Sequence, residues 1–114
     1  MKQAGAIVLL RFPHTNLETG KPRPALLIGK LHGKHDDWLT CMISSQARHY
    51  LPDVDELIRT ADNDYSQSGL HGESVIRTER LAVMDDPSLL GEIGFISQER
   101  LQRIKLRLAN WIGQ

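Results

Sequence analysis

Two short stretches carry side chains that together suit phosphate chemistry: Glu18-Thr19-Gly20-Lys21-Pro22-Arg23-Pro24 and Ile43-Ser44-Ser45-Gln46. Arg23 sits between two prolines, so its backbone direction is restricted. A planar guanidinium is the side chain best shaped to grip a phosphate through two hydrogen bonds. A hydroxyl such as that of Ser44 can add another. On spacing alone, Arg23 reads as a surface arginine and Ser44 as a strand-end residue.

The five histidines raise metal or acid–base chemistry. His32-Gly33-Lys34-His35-Asp36-Asp37 crowds several donors into a short turn, with Lys34 in their midst. A metal site ordinarily draws ligands from separate elements with supporting contacts, so this run reads as a solvated turn. No metal or cofactor is expected. His14, His49 and His71 are scattered and read as surface or capping residues. The single cysteine, Cys41, lies in the apolar Leu39–Ile43 stretch and is expected to be a buried thiol.

Short strands with turns between them must position these groups. Gly5–Phe12 is β-branched and aromatic and closes at Pro13; Pro24–Ile28 and Trp38–Ser44 come next. His14–Pro22 is rich in turn formers. Leu51–Ile58 alternates as an edge strand, 61–72 reads as loop, and Ser74–Arg77 and Arg80–Val83 as two further strands. The pattern predicts a small barrel. The last element is a helix with Ser97 as N-cap and Glu99 in its first turn. Leu101, Ile104, Leu108 and Trp111 form one stripe along it, about 24 Å long. At 114 residues the chain is read as one domain, with no membrane span or signal peptide, and is expected in the cytoplasm.

Net charge is zero, but the charges are segregated. Residues 1–50 carry seven Lys/Arg against three Asp/Glu, residues 51–96 three against ten, and residues 97–114 four against one. On charge alone this reads first as solvated surfaces with no role, but a fold joining the two ends would present a basic face.

The ordered series of Gly5–Phe12, Arg23-Pro24 before an aliphatic strand, Ile43-Ser44-Ser45-Gln46, Ser74-Val75-Ile76-Arg77 and Gly91–Ser97 entering a helix resembles the MazF/PemK family. The resemblance covers most of the chain and lapses in the acidic middle. It implies a mainly β fold with a C-terminal helix, a small SH3-like β-barrel. It also implies a toxin of a toxin–antitoxin pair: a metal-independent endoribonuclease that cleaves single-stranded RNA, acts as a homodimer, and is silenced by an acidic antitoxin.

Residue by residue, the resemblance puts the catalytic arginine on Arg23, the hydroxyl on Ser44 and a loop glutamate on Glu18. Lys21, His14, Ser45, Gln46 and Arg77 are expected to contact RNA. The implied reaction is attack of a 2′-hydroxyl on the adjacent phosphorus, with departure of the 5′-oxygen. Arg23 would stabilise the charge gathering on the phosphoryl oxygens and donate a proton to the leaving oxygen. Ser44 would hold the phosphate in line, and Glu18, or failing it His14, would be the base. Ala6 departs from the pattern, standing where many members carry an acid. Two rival readings are a gyrase-binding toxin of the CcdB type, whose Trp-Gly-Ile ending Asn110–Gln114 matches only in letters, and an inactive member kept as a binding module.

Overall fold

The computed structural model describes residues 2–11 and 21–114. Six antiparallel strands, β1 (Ala6–Leu10), β2 (Arg23–Lys30), β3 (Asp37–Ser44), β4 (Glu56–Ile58), β5 (Ser74–Asp85) and β6 (Leu89–Phe95), form one sheet in the order β4-β5-β3-β2-β1-β6. A four-residue helix α1 (Tyr65–Ser68) comes after β4, and α2 (Gln98–Ile112) ends the chain.

The strands alternate between two cores, as the two-residue period of a strand requires. Ile7, Leu26, Cys41, Ile43 and Ile76 face α2, which contributes Leu101, Ile104 and Leu108. Ala6, Val8, Leu10, Ala25, Leu27 and Trp38 gather on the other face, joined by Met84 of β5 and Leu89 of β6. Met84 and Leu89 belong to strands far apart in the sheet order, so the sheet curls on itself. It is nevertheless not a closed barrel: β4 and β6 are its edges, unpaired with each other. Helix α1 packs against the edge strand β6 at two glycines. A side chain on Gly69, whose φ is +74°, would meet the Ile93 carbonyl at 2.1 Å, and one on Gly94 would meet the Gln67 carbonyl at 2.3 Å. Only glycine permits that approach.

Four further sequence expectations change. The edge strand shrinks to Glu56–Ile58, because Asp55 turns inward. Its carboxylate accepts from the Leu51 and Thr78 backbone N–H groups, at 3.0 and 3.2 Å. The two strands read at Ser74–Arg77 and Arg80–Val83 are one long β5 interrupted by a bulge, since Arg77 lies opposite Met42 and Leu81 opposite Cys41. The loop read over 61–72 contains α1. Cys41 is buried, and burial pushes its thiol well above the usual range. Trp111, expected on the buried stripe, is 42% exposed at the end of α2.

Helix α2 begins as expected: the Ser97 hydroxyl accepts from the Arg100 N–H at 3.1 Å. Its arginines do something the sequence does not announce. Arg100 lies in the first turn, where the helix dipole disfavours a cation, and it is buried. The guanidinium donates to Asp64 twice, at 2.9 Å each, to Asp62 at 2.9 Å, to Glu56 at 3.1 Å and to the Leu57 carbonyl at 3.0 Å. Arg103 and Arg107 reach the same Glu56 at 3.0 and 2.7 Å. The acidic middle of the chain is thus the counter-charge of the basic helix. The expected basic face drawing on both ends is corrected: these three helix cations are already neutralised.

Burial pulls the Asp64 carboxyl up, but the bonds from Arg100 and Ser97 outweigh it and hold it down at about 2. Its ionised form therefore contributes stability above the ordinary carboxylate range, and that contribution is lost as pH falls through about 2. Asp64→Ala should cost on the order of 3–5 kcal/mol near neutrality, with the gap to wild type narrowing below about pH 4. Urea unfolding across pH measures this; a gap that stays constant down to about pH 2 would mean the carboxylate charge contributes nothing.

Candidate functional site

The strands fix the relation between the two sequence stretches. Strands β2 and β3 pair with Ala25 opposite Met42 and Leu26 opposite Cys41. Continued, that register sets Pro24 level with Ile43 and Arg23 level with Ser44, each pair on a common face. Arg23 is the first residue of β2 and Ser44 the last of β3, so the pair stands where the sheet stops.

A cleft of roughly 380 Å³ opens beside it. Lys21, Arg23, Ser45 and Ile43 line one side, and His71, Glu73 and Ser74 belong to the segment that forms another. That second side is the chain leaving α1, held in place by the Gly69–Ile93 contact. The residues that follow α1 therefore form that side of the cleft. Lys21 and Arg23 are exposed at its mouth.

Ser44 is half-buried and its hydroxyl is engaged. Oγ accepts the Gln46 backbone N–H at 3.0 Å and lies 2.8 Å from Nδ1 of His49. Gln46 thus meets Ser44 through its backbone. His49 ends a 3-10 turn, Ala47–His49. Its imidazole is held below its ordinary range by partial burial first, then by the positive charges of Arg77, Arg48 and Arg80. Arg77 does not line the cleft. With Arg80, Leu51 and Asp55 it lines a neighbouring hollow of roughly 340 Å³. The chain passes from the cleft at Ser45 to that hollow at Leu51, and His49 lies on the way.

The structure brings together Lys21, Arg23 and Ser45 around the cleft, and Ser44 with Gln46 and His49 next to it. Glu18 and His14 lie outside the described residues. His49, His71 and Glu73 are the residues that sequence reading passes over. The His49 signal is faint: a histidine five positions past Ser44, with a turn between. In the His32–Asp37 run, Asp36 pairs with Lys2 at 2.9 Å and accepts the Trp38 indole N–H at 2.9 Å. Among the described residues no three His, Cys, Asp or Glu side chains gather as a metal site requires. Nor is any described helix long and apolar enough to cross a membrane.

The profile of the PemK-like, MazF-like toxins of type II toxin–antitoxin systems matches residues 3–112. The chain belongs to this family. No protein of curated function matches it. Among solved structures it is similar to a MazE–MazF complex from Deinococcus radiodurans, with a TM-score of 0.73 at 21% identity, over 99% of this chain and 96% of that one. It is also similar to the Mycobacterium tuberculosis toxin MazF-mt6, at 0.67 and 14% over 95% and 96%. A third is a mycobacterial endoribonuclease in complex with its cognate antitoxin, at 0.69 and 11% over 99% and 96%. At these identities the likeness is one of fold, and it extends along nearly the whole of this family member.

Cations beside an imidazole disfavour its charged form. Arg77→Gln or Arg80→Gln should therefore raise the His49 pKa toward 6.5. An NMR titration of the imidazole checks it; a value unmoved in both variants would show that the arginines do not act on the ring.

Proposed function

We propose that this toxin is a metal-independent endoribonuclease acting on single-stranded RNA, with Arg23 and Ser44 at the scissile phosphate. The observation that carries the reading is the β2–β3 register. Arg23 begins β2 and Ser44 ends the neighbouring β3, next to a cleft that Arg23 lines, in a chain of the PemK/MazF family. The relatives support it from outside, since one is described as an endoribonuclease.

Transfer to the 2′-hydroxyl gathers negative charge on the non-bridging phosphoryl oxygens. Arg23, exposed at the mouth, offers a permanent positive charge and two N–H donors to those oxygens, and a proton donor for the leaving 5′-oxygen. Ser44 stands beside the attacking 2′-hydroxyl and holds it in line with the phosphorus. Lys21, Ser45 and Gln46 track the flanking backbone, and Arg77 and His14 contact neighbouring nucleotides. The 2′-hydroxyl needs a proton acceptor, and Glu18 is the carboxylate that the family pattern places near Arg23. The products are a 2′,3′-cyclic phosphate and a 5′-hydroxyl.

The same surface suits an antitoxin. Lys21 and Arg23 at the cleft, with Arg48, Arg77 and Arg80 beside it, form a basic region distinct from the α2 arginines, which are paired internally. An acidic antitoxin segment that folds on binding would be drawn there and would exclude RNA. The edge strand β6 exposes Leu90 and Phe95, which supports burial of that edge in a homodimer. We place the protein in the cytoplasm, as a single domain needing no cofactor.

Arg23→Ala should lower cleavage of a mixed-sequence single-stranded RNA on the order of 10²–10³-fold while the fold is kept. Wild-type cleavage should persist in excess EDTA and cease when the target nucleotide carries 2′-deoxyribose. Full activity in the folded variant would remove Arg23 from the site. Cleavage of the deoxy substrate, or strict dependence on magnesium, would overturn the mechanism.

A further inference from the structure

The hydrogen bond between Ser44 Oγ and His49 Nδ1 is not needed to close the turn that carries the ring. The 3-10 turn carrying His49 is already closed by backbone bonds, from the His49 N–H to the Gln46 carbonyl and from the Tyr50 N–H to the Ala47 carbonyl, at 3.0 Å each. Gln46 donates to Ser44 Oγ from its backbone, fixing that oxygen without help from the ring. The imidazole is therefore an addition to a turn and a hydroxyl that are already held.

We propose that His49 accepts, through Ser44, the proton that leaves the attacking 2′-hydroxyl, so that the Ser44–His49 pair is the general base of this site. The proposal rests on the ribonuclease reading above and deepens it. A serine oxygen has two lone pairs and one proton. One lone pair is filled by the Gln46 N–H, and the proton points to Nδ1 when the neutral ring carries its own hydrogen on Nε2. The second lone pair stays open for a hydroxyl donor arriving from the substrate.

The proton balance closes within the pair and the solvent. As the 2′-oxygen–phosphorus bond forms and the phosphorus–5′-oxygen bond breaks, the 2′-hydroxyl proton passes to Ser44 Oγ and the Ser44 proton to His49 Nδ1. The leaving oxygen takes a proton from Arg23 or from water. The imidazolium then releases its proton to solvent, which also restores Arg23. Ser44 touches substrate; His49 acts through it and is a positioning residue.

The groups facing the ring fit this role. Arg48 of its own turn and Arg77 and Arg80 of β5 are all cationic. Together with partial burial they keep the ring below its ordinary range, and so neutral, in its accepting form, near neutral pH. They also favour release of the proton once it has been taken up. The assignment moves the base from the 12–20 segment, which carries Glu18 and His14, onto the end of β3 and the turn after it.

The test is the pH profile of RNA cleavage by the whole chain. His49→Gln keeps a hydrogen-bonding side chain but cannot titrate in this range. It should lower kcat on the order of 10²-fold or more and abolish the acidic limb of the profile. KM, and affinity for an oligonucleotide with 2′-deoxyribose at the target, should be unchanged. Glu18→Gln and His14→Gln should keep the acidic limb. In wild type, that limb should have its midpoint below 6.5 and coincide with the NMR titration of His49, and both should rise together in Arg80→Gln. This last comparison stands even if His49→Gln does not fold. A limb retained in folded His49→Gln, or lost in Glu18→Gln, or a midpoint that does not track His49, overturns the relay while leaving the ribonuclease reading intact. Wild-type protein that cleaves no RNA at any pH overturns both.

Discussion

The guanidinium of Arg100 has five N–H donors, and each has an acceptor: two from Asp64 and one each from Asp62, Glu56 and the Leu57 carbonyl. Those acceptors come from β4 and from the chain between β4 and α1, while the donor comes from α2. One buried side chain thus ties the helix to the segment that leads into α1. Remove it and Asp62 and Asp64 lose their counter-charge, while Glu56 keeps Arg103 and Arg107. A buried ion pair adds little over an apolar replacement, but breaking one partner of it is costly. The interaction acts as a constraint on geometry more than as a reserve of stability.

The cleft depends on that constraint. With the segment after β4 held by Arg100, α1 lies on Ile93 and Gly94 closely enough that neither Gly69 nor Gly94 could carry a side chain. The chain leaving α1 then supplies His71, Glu73 and Ser74 opposite Lys21 and Arg23. The same pairing redistributes charge. Arg100, Arg103 and Arg107 are committed to carboxylates, so the positive charge beside the cleft comes from β2, β5 and the 3-10 turn. A chain with no net charge gains a cationic site by placing its carboxylates around its helix. Long-range attraction of phosphate is then directed to one end of the sheet.

Strands whose burial is set by apolar runs were legible in the sequence. Gly5–Phe12, Pro24–Ile28 and Trp38–Ser44 fall on β1, β2 and β3 because each is buried or alternates in a way that propensity and period report directly. The helix was legible from Ser97 and its stripe. The acidic middle was not, because its structure depends on partners more than twenty residues away: Asp55 on Thr78, Asp64 on Arg100. No local period records such a pairing. Closure failed for a related reason, since the strand pattern cannot show that β4 and β6 are left as unpaired edges. In the site, the family series points to Arg23 and Ser44, and the β2–β3 register then gives them a physical relation. His49 carries only a faint signal, because its part depends on the fold of a three-residue turn.

Phosphate chemistry belongs, on these grounds, at the end of β2 and β3, beside the cleft that Arg100 holds open, and not along the arginine-rich helix. Amide and imidazole chemical-shift mapping tests it directly, during titration with a single-stranded RNA made uncleavable by 2′-deoxyribose at the target nucleotide. The expected result is saturable shifts at Lys21, Arg23, Ser44–His49 and Gly69–Ser74, with Arg103 and Arg107 unmoved. Shifts centred on Arg103 and Arg107, with the strand ends silent, would contradict it.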